Sequence, residues 1–222
     1  MLQIGKNPSE AALRLAIVDY SRICYERGLI CANDGNVSVR LDESKILITP
    51  AGISKGRMDP DQVVVVARNG SPASSGSLPG PSSETPMHLE VYRLRADVCA
   101  IIHAHPVFAT ALTVAGLDFP IDILPEGILS LGEVPVTSYA TPSSREDAEA
   151  VRSLVPKHNA ILLRQHGSLT FGVDLEQALV NLERLEHIAE VFWCAHSLGR
   201  VERLSPEARR ALEERRSNSR AG

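Results

Sequence analysis

Apolar residues recur every three or four positions in five segments of the chain, and this spacing places them on one face of an α-helix. The first helix is predicted to begin after Asn7-Pro8-Ser9 and to end at Gly28, because serine commonly caps a helix start and glycine commonly ends a helix. The same spacing predicts further helices at Glu84–Arg95, Pro106–Ala115, Ser144–Leu154 and Leu175–Leu198, followed by a charged terminal helix near Pro206–Arg216.

Short runs of β-branched and apolar residues lie between the predicted helices. Val37, Val39 and Leu41 alternate with polar residues, which predicts a half-buried antiparallel hairpin made of Asn36–Leu41 and Lys45–Thr49. Because strands and helices alternate through the second half of the chain, the sequence favours the α/β class. The remaining strands are predicted at Val63–Ala67, Val98–Ala104, Val134–Ser138, Ala160–Arg164 and Ser168–Phe171.

Residues 69–83 are dense in glycine, serine and proline. They suit either an interdomain linker or a long surface loop, and the stretch before them is short for a domain. We therefore predict one α/β domain over residues 1–222, with a charged helical tail from about residue 204. Hydrophobic residues make up 44% of the chain, which is enough to build a core without disulfides or a structural metal.

Charge and cysteine content restrict the partners of the chain. The net charge of −4 and the pI near 6.0 argue against nucleic acid, whose binding needs a basic surface. No apolar run approaches the roughly 20 residues of a membrane span, and the first residues lack the features of a signal peptide. The four cysteines form no close pair. These observations predict a soluble cytoplasmic protein with neither a nucleic-acid nor a membrane partner.

Two histidines lie two positions apart at the end of the apolar run Ile101-Ile102-His103-Ala104-His105. Side chains of a strand alternate between its faces, so both imidazoles are predicted to point the same way. Neutral imidazole binds zinc and similar transition ions, and a catalytic site needs a third protein ligand while keeping one position open. His166, which precedes Gly167 at the end of another apolar run, is the natural third ligand.

A lone histidine is more often a satisfied core or surface residue than a metal ligand. For the HxH pair joined to a distant His-Gly, a metal site is the better interpretation, and the lack of adjacent cysteines favours a catalytic site over a structural one. His88 follows Glu84 by one helical turn and could support the site. The structural interpretation is nevertheless favoured for all four remaining histidines, His88, His158, His187 and His196.

Serine, asparagine and glycine occupy positions where anions commonly bind. Ser82 and Ser83 precede a predicted helix, where free N–H groups and hydroxyls can hold phosphate, although a helix cap explains them equally well. Glu84 in the first turn would likewise complement the helix dipole. The segments Asn33-Asp34-Gly35-Asn36 and Thr49-Pro50-Ala51-Gly52 can also present backbone N–H groups to an anion, but both are ordinary turn sequences.

Five motifs, GNVSVR, LITPAG, PSSE, IIHAHP and RQHG, occur in this order between about Gly28 and Glu190. Taken together they resemble the class II aldolase/adducin family. The resemblance implies a single three-layer α/β/α domain with a central, mainly antiparallel sheet. It also implies a homotetramer whose active sites lie between subunits.

The resemblance further assigns roles to individual residues. Zinc, or another divalent transition metal, would be bound by His103, His105 and His166. The carboxylate that moves a proton is matched by Glu84. The positions that hold the phosphate of a sugar phosphate substrate are matched by Asn36, Gly52, Ser82 and Ser83.

The reaction implied by the resemblance is the reversible retro-aldol cleavage of a phosphorylated ketose. It would yield dihydroxyacetone phosphate and an aldehyde through a metal-stabilised enediolate. A decarboxylase, dehydratase or epimerase acting on a sugar acid or sugar phosphate would need the same centre, so these alternatives remain open. A non-catalytic binding module like the adducin head is a further alternative, against which the intact set of site residues argues.

The chain departs from the family pattern in several places. Ala51 stands where the family has threonine or serine, so one phosphate-binding hydroxyl is missing. Leu124 lies where the family's aldolases use a tyrosine for the aldehyde half, and the C-terminal tail has no counterpart of a second such tyrosine. The metal and enediolate residues are therefore kept, whereas the residues that recognise the aldehyde differ.

Overall fold

A six-stranded sheet organises the chain in the computed structural model, which describes residues 8–72 and 79–221. Its strand order is β3-β2-β1-β4-β6-β5, and every neighbouring pair is antiparallel. The strands are β1 (Asn36–Arg40), β2 (Lys45–Ile48), β3 (Val64–Ala67), β4 (Ala100–Ala104), β5 (Ala160–Leu163) and β6 (Gly167–Gly172).

The helices lie close to their predicted positions. Ser9 caps the first of them by accepting a hydrogen bond from the backbone N–H of Ala12 at 3.2 Å, as its residue type predicts. The terminal helix is longer than predicted and continues past Arg216. The α-helices are α1 (Glu10–Glu26), α2 (Thr85–Leu94), α3 (Val107–Val114), α4 (Arg145–Arg152), α5 (Leu175–Ser197) and α6 (Pro206–Ala221), with a short 3₁₀ turn at Pro60–Gln62 and a π-helical turn at Gly127–Leu131.

Helices cover both faces of the sheet, which confirms the three-layer α/β/α arrangement. Side chains alternate along β4, so Ala100 and Ile102 pack in one core with residues of α1 and α5. Ile101 packs on the opposite face, in a second core with Val91 of α2 and Val151 of α4. The same alternation directs His103 toward the face covered by α2 and α4.

One predicted strand is wrong. Residues 134–138 form only an isolated parallel bridge, between Val136 and Leu162 at the edge of the sheet. Pro135 has no N–H to donate, so it accepts one hydrogen bond, from Leu162, and the pairing does not extend into a ladder. The apolar residues in this segment serve packing instead, since Val134 is buried in a third hydrophobic cluster together with Leu131 and Ile188.

The glycine- and serine-rich segment is described only in part, because residues 73–78 lie outside the described residues, as do residues 1–7 at the chain start. Pro72 pairs with Val66, and Pro81 pairs with Pro50. The segment therefore leaves β3 and returns beside the loop that follows β2.

All four cysteines are free thiols.

The long helix α5 lies across the sheet and contacts β6 and α3. Leu182, Leu185 and Ile188 are buried, whereas Trp193 near its C-terminal end is 55% exposed. Among residues 8–72 and 79–221, no helix combines the length and apolar character that spanning a membrane requires.

Candidate metal centre

His103 lies in the middle of the sheet, on β4 between β1 and β6, and is fully buried. Its Nδ1 lies 2.9 Å from the backbone carbonyl oxygen of Ser168. Because a carbonyl can only accept, Nδ1 carries the proton and donates it, and Nε2 keeps its lone pair. A hydrogen bond of this kind fixes the tautomer and the ring orientation of a metal-binding histidine.

His105 follows β4 directly, and its imidazole points the same way as that of His103. The two Nε2 atoms are 3.0 Å apart, which confirms the orientation predicted from the HxH spacing. On the far side of the His105 ring, Nδ1 lies 3.6 Å from a carboxylate oxygen of Asp34. That charge favours a proton on Nδ1 and leaves Nε2 as the free donor atom.

His166 lies in the tight turn between β5 and β6 rather than at the end of a strand. Gln165, which precedes it, has a φ of 55°, a left-handed conformation that is uncommon for a residue other than glycine. Gly167 is needed for space, since a Cβ there would lie 2.4 Å from the carbonyl oxygen of Ala104 and 2.7 Å from the His105 ring. The turn thus presses His166 against the HxH strand.

The three imidazoles converge on one point. Their ring centroids are 4.9 Å apart for His103 and His105, 4.7 Å for His103 and His166, and 4.9 Å for His105 and His166. One nitrogen of each ring lies within 4.8 Å of the other two. Three imidazoles in this arrangement suit zinc and related divalent ions, so the residues present fit the metal that the sequence predicts.

Burial favours the neutral form of His103 and His105. Desolvation, and then the neighbouring rings of His105 and His166, hold the pKa of His103 well below its usual value. Desolvation, followed by the charge of His166, also lowers the pKa of His105, while Asp34 and Glu84 act in the opposite direction. Neutral rings offer lone pairs at physiological pH, which is the state that a metal ion needs.

Glu84 occupies the N-cap position of α2, so the helix-cap interpretation of Ser83 is wrong, as is the placement of Glu84 in the first turn of this helix. Its carboxylate makes no capping hydrogen bond and turns toward the imidazoles instead. Oε2 lies 3.3 Å from Nε2 of His103, and Oε1 lies 3.3 Å from Nε2 of His166. Oε1 is buried without a hydrogen-bond partner among the described residues, so it is available to another group.

Asn36 and His88 form a buried chain of hydrogen bonds that ends on Glu84. Nδ2 of Asn36 donates to Oε2 of Glu84 at 2.7 Å, and Nε2 of His88 lies 2.6 Å from Oδ1 of Asn36. Oγ of Ser38 closes the chain at 2.7 Å from Nδ1 of His88. His88 therefore supports the site, beyond the general structural duty favoured from the sequence. In this structure the Asn36 side chain holds Glu84, and its role toward a substrate phosphate stays a prediction.

The buried state of His88 leads to a prediction about acid stability. Burial, and then the nearby His103, lower the pKa of His88 to about 3. In an unfolded chain its pKa is about 6.5, so between these values the unfolded state binds one more proton than the folded state. The stability contributed by neutral His88 is therefore fully present above pH 6.5 and is lost as the pH falls toward 3. The expected slope is up to about 1.4 kcal/mol per pH unit.

The measurement is the free energy of unfolding in urea between pH 4.5 and pH 6.5, with a chelator present so that metal release does not contribute. We expect His88→Gln to be less stable at pH 6.5. Its free energy of unfolding should also fall less steeply with decreasing pH, because the contribution of one titrating group is removed. His187→Gln is the matched control, because His187 is exposed on α5. An unchanged slope in His88→Gln would show that His88 is not held neutral by the fold.

The two serine- and glycine-containing loops lie side by side at the edge of the site. The backbone N–H of Ser82 donates to the carbonyl of Thr49 at 3.1 Å. Gly52 has a φ of +71° and is exposed, while Ser83 is exposed and its hydroxyl lies 2.8 Å from that of Ser143. The structure thus brings the LITPAG and PSSE motifs together, next to Glu84.

Lys55 is a charged residue near the site that no sequence motif indicated. It is 2% exposed, and its Nζ donates to the carbonyls of Asn33 and Ile53 at 2.9 and 2.8 Å. Desolvation lowers its pKa to about 8, while the charges of Asp34 and Glu84 act in the opposite direction. Lys55 therefore ties the loop before β1 to the loop after β2 and brings a positive charge toward Glu84.

Asp147 on α4 is a second residue that the sequence did not single out. It is 3% exposed, and one of its oxygens lies within 4.8 Å of ligand atoms of both Glu84 and His166. Burial, and then the charge of Glu84, raise the pKa of its carboxyl to about 6, while His166 and the backbone of Ser143 act in the opposite direction. In the sequence it is one of several acidic residues in the first turn of a helix, which is a common and unremarked pattern.

The family assignment agrees with this geometry. The sequence profile described as Class II Aldolase and Adducin N-terminal domain matches residues 15–193. The chain belongs to this family, which contains metal-dependent aldolases and related decarboxylases.

Two relatives from this family carry different activities in their names. The chain is 32% identical to the 3-oxo-tetronate 4-phosphate decarboxylase of Haemophilus influenzae, over 83% of this chain and 89% of the relative. It is 33% identical to the L-fuculose phosphate aldolase of Methanococcus maripaludis, over 82% of this chain and 98% of the relative. A solved structure of L-fuculose 1-phosphate aldolase superposes with a TM-score of 0.84 at 29% identity, covering 95% of this chain and 99% of that one.

Proposed function

We propose that His103, His105 and His166 hold a divalent metal ion, with zinc as the first choice, and that this centre cleaves a carbon–carbon bond of a phosphorylated ketose. The observation that carries the proposal is the convergence of three imidazoles, of which His103 is fully buried, with a carboxylate oxygen of Glu84 beside them that has no hydrogen-bond partner among the described residues. The metal would act as a Lewis acid that stabilises the negative charge of the enediolate left after cleavage.

Glu84 is the acid/base residue of the proposed reaction. Its Oε2 is held by Asn36, while Oε1 has no hydrogen-bond partner among the described residues and can exchange a proton with substrate. The neutral His88 behind Asn36 donates rather than accepts, which fixes the Asn36 amide with its Nδ2 toward Glu84. These hydrogen bonds therefore orient the Glu84 carboxylate through Oε2 and leave Oε1 available for proton transfer.

The phosphate of the substrate is proposed to bind where the LITPAG and PSSE loops meet, through Asn36, Gly52, Ser82 and Ser83. The protein carries a net charge of −4, so an anionic substrate depends on local donors instead of a general positive field. Exposed Gly52 and the exposed hydroxyl of Ser83 are donors that a phosphate can reach from solvent. Lys55 lies nearby, and although burial lowers its pKa to about 8, it still carries a positive charge at neutral pH.

Retro-aldol cleavage to dihydroxyacetone phosphate and an aldehyde is the reaction we favour. The family's aldolase from M. maripaludis supports it, at 33% identity over 98% of that chain. Decarboxylation of a phosphorylated 3-oxo sugar acid is the second candidate, because the relative from H. influenzae carries that activity in its name. Loss of carbon dioxide beside a ketone also leaves an enediolate, so the same metal and acid/base residues serve either reaction.

The two reactions are separated by supplying each with its own substrate. We expect the zinc-loaded protein to condense dihydroxyacetone phosphate with at least one member of a panel of aldehydes, measured as the consumption of dihydroxyacetone phosphate in an enzyme-coupled assay. In a parallel assay the protein is given 3-oxo-tetronate 4-phosphate, and the release of carbon dioxide is measured. Carbon dioxide release without any condensation would replace the aldolase proposal by the decarboxylase.

We also propose that the chain assembles as a homotetramer with sites between subunits. Several large apolar side chains on α3 and at the end of α5 are exposed on one chain. They include Val107, Val114, Trp193 and Leu198, which are 64%, 62%, 55% and 89% exposed. Burial of such side chains against another copy would remove apolar surface from water.

A further inference from the structure

Asp147 is a buried carboxylate at the candidate centre that belongs to none of the family motifs in this sequence. It lies in the first turn of α4, whose N-cap is Ser144. Only 3% of Asp147 is exposed, and its Oδ2 has no hydrogen-bond partner among the described residues. One of its oxygens, one oxygen of Glu84 and one ring nitrogen of His166 all lie within 4.8 Å of one another.

A carboxylate buried with an unpaired oxygen destabilises the fold relative to a paired group. Its neighbours on the inner face of α4, Ala148 and Val151, are apolar, and an apolar residue at position 147 would avoid this cost. Oε1 of Glu84 is the second unpaired oxygen at the same place. Two carboxylates beside one histidine, each with an unpaired oxygen, indicate a reactant that both carboxylates contact, because a fold alone does not require either of them.

We propose that Asp147 is a second proton-transferring residue, which serves the aldehyde half of the substrate while Glu84 serves the enediolate carbon. The inference rests on the proposed retro-aldol reaction and deepens it. It also fills a gap in the site, because Leu124 stands where the family's aldolases have a tyrosine for the aldehyde half. A carboxylate on α4 would supply the missing base from a different element of the fold.

The proton balance of the step follows from the position of the two carboxyls. In cleavage, the hydroxyl on the carbon that becomes the aldehyde gives its proton to ionised Asp147. Its C–O bond becomes double as the electron pair of the breaking C–C bond moves to the ketone half, which becomes the enediolate. The proton then passes from Asp147 to the ionised carboxylate of Glu84, since ligand atoms of the two groups lie within 4.8 Å of each other. Glu84 donates this proton to the enediolate carbon, which returns both carboxylates to their starting state.

This division of labour separates two measurable activities. Exchange of a C–H proton of dihydroxyacetone phosphate with deuterated water needs the enediolate step alone and hence Glu84. Cleavage of the phosphorylated ketose that the wild-type protein makes from dihydroxyacetone phosphate and an aldehyde needs the hydroxyl proton as well. The experiment compares both rates, together with bound metal, in zinc-loaded wild type, Asp147→Asn and Glu149→Gln. Glu149 is the matched control because it is an exposed carboxylate on the same helix.

We expect Asp147→Asn to keep its metal and its exchange rate while cleavage falls by roughly 10²–10⁴-fold, the range for loss of a general base. Glu149→Gln is expected to match the wild type in both. Equal loss of exchange and cleavage, undiminished cleavage, or loss of metal would each overturn the inference, the last because it makes Asp147 a ligand. If Asp147→Asn does not fold, Asp147→Leu removes the unpaired oxygens and provides the same comparison.

Failure of the inference is distinguishable from failure of the proposed function. A wild-type protein that neither exchanges nor cleaves would reject the aldolase proposal, and the role of Asp147 with it. A wild-type protein that exchanges dihydroxyacetone phosphate, with an Asp147→Asn variant that still cleaves at the full rate, would reject only the role of Asp147. Decarboxylation involves no hydroxyl proton that Asp147 would remove. A wild-type protein that decarboxylates without cleaving any ketose would therefore also reject the proposed role of Asp147.

Discussion

The variant His105→Ala is expected to lose its metal and to lose at least roughly 10³-fold in turnover, because a Lewis acid at such a centre supplies several kcal/mol of stabilisation to the transition state. His105 supplies one of only three imidazoles that converge on the site. The two remaining imidazoles are one fewer than the three protein ligands that hold the metal ion in a catalytic zinc site. The residue follows the last residue of β4 and is partly exposed at 24%, so its removal leaves the sheet pairing in place.

The same variant is expected to remain folded. The hydrophobic core on each face of the sheet is built from aliphatic side chains such as Ile102, Leu182, Ile101 and Val91, and neither core includes His105. Metal content of protein prepared without a histidine tag, the urea midpoint and the rate of cleavage are the three measurements. His187→Ala is the control, since His187 is exposed on α5. Global unfolding of His105→Ala would identify a structural metal instead, and full retention of metal would remove His105 from the ligand set.

Much of the fold was predictable because its signals are local. The alternation of Val37 and Val39, the apolar run before His103 and the helical spacing in 175–198 each reflect which face of an element is buried. The convergence of His103 and His105 followed from strand geometry alone, since residues two apart lie on one face. The sequence indicates His166 as their partner only because a metal site needs a third ligand. The turn that brings His166 to them has Gln165 in a left-handed conformation, which no sequence pattern predicts.

The remaining features depend on contacts between distant parts of the chain. Residues 134–138 have the composition of a strand, but Pro135 at the edge of the sheet limits them to one bridge. Glu84 looks like a helix-dipole residue, and only its three-dimensional neighbours turn the carboxylate toward His166. Lys55 and Asp147 resemble ordinary surface charges in the sequence, because burial of a single polar residue within an amphipathic or loop segment leaves no periodic signal.

The contact between Glu84 and Asn36 shows why a change at Glu84 can be interpreted chemically. Glutamine has nearly the shape of glutamate, and its carbonyl oxygen can still accept the 2.7 Å hydrogen bond from Nδ2 of Asn36. The amide does not release a proton to carbon at neutral pH and is too weakly basic to take one from carbon. Glu84→Gln therefore removes proton transfer while keeping the chain from His88 to residue 84 intact.

We expect Glu84→Gln to bind metal as the wild type does and to lose roughly 10²–10⁴-fold in the exchange of a C–H proton of dihydroxyacetone phosphate with deuterated water, the usual contribution of a general acid/base. Exchange followed by proton NMR isolates the enediolate step from recognition of the aldehyde. Glu149→Gln, with the same chemical change on an exposed side chain, controls for loss of one negative charge. Loss of metal would mean that Glu84 is itself a ligand, and exchange at the wild-type rate would assign the proton to another group. A histidine that binds metal cannot serve as the base, so Asp147, which has an oxygen within 4.8 Å of ligand atoms of Glu84 and His166, would then be the candidate.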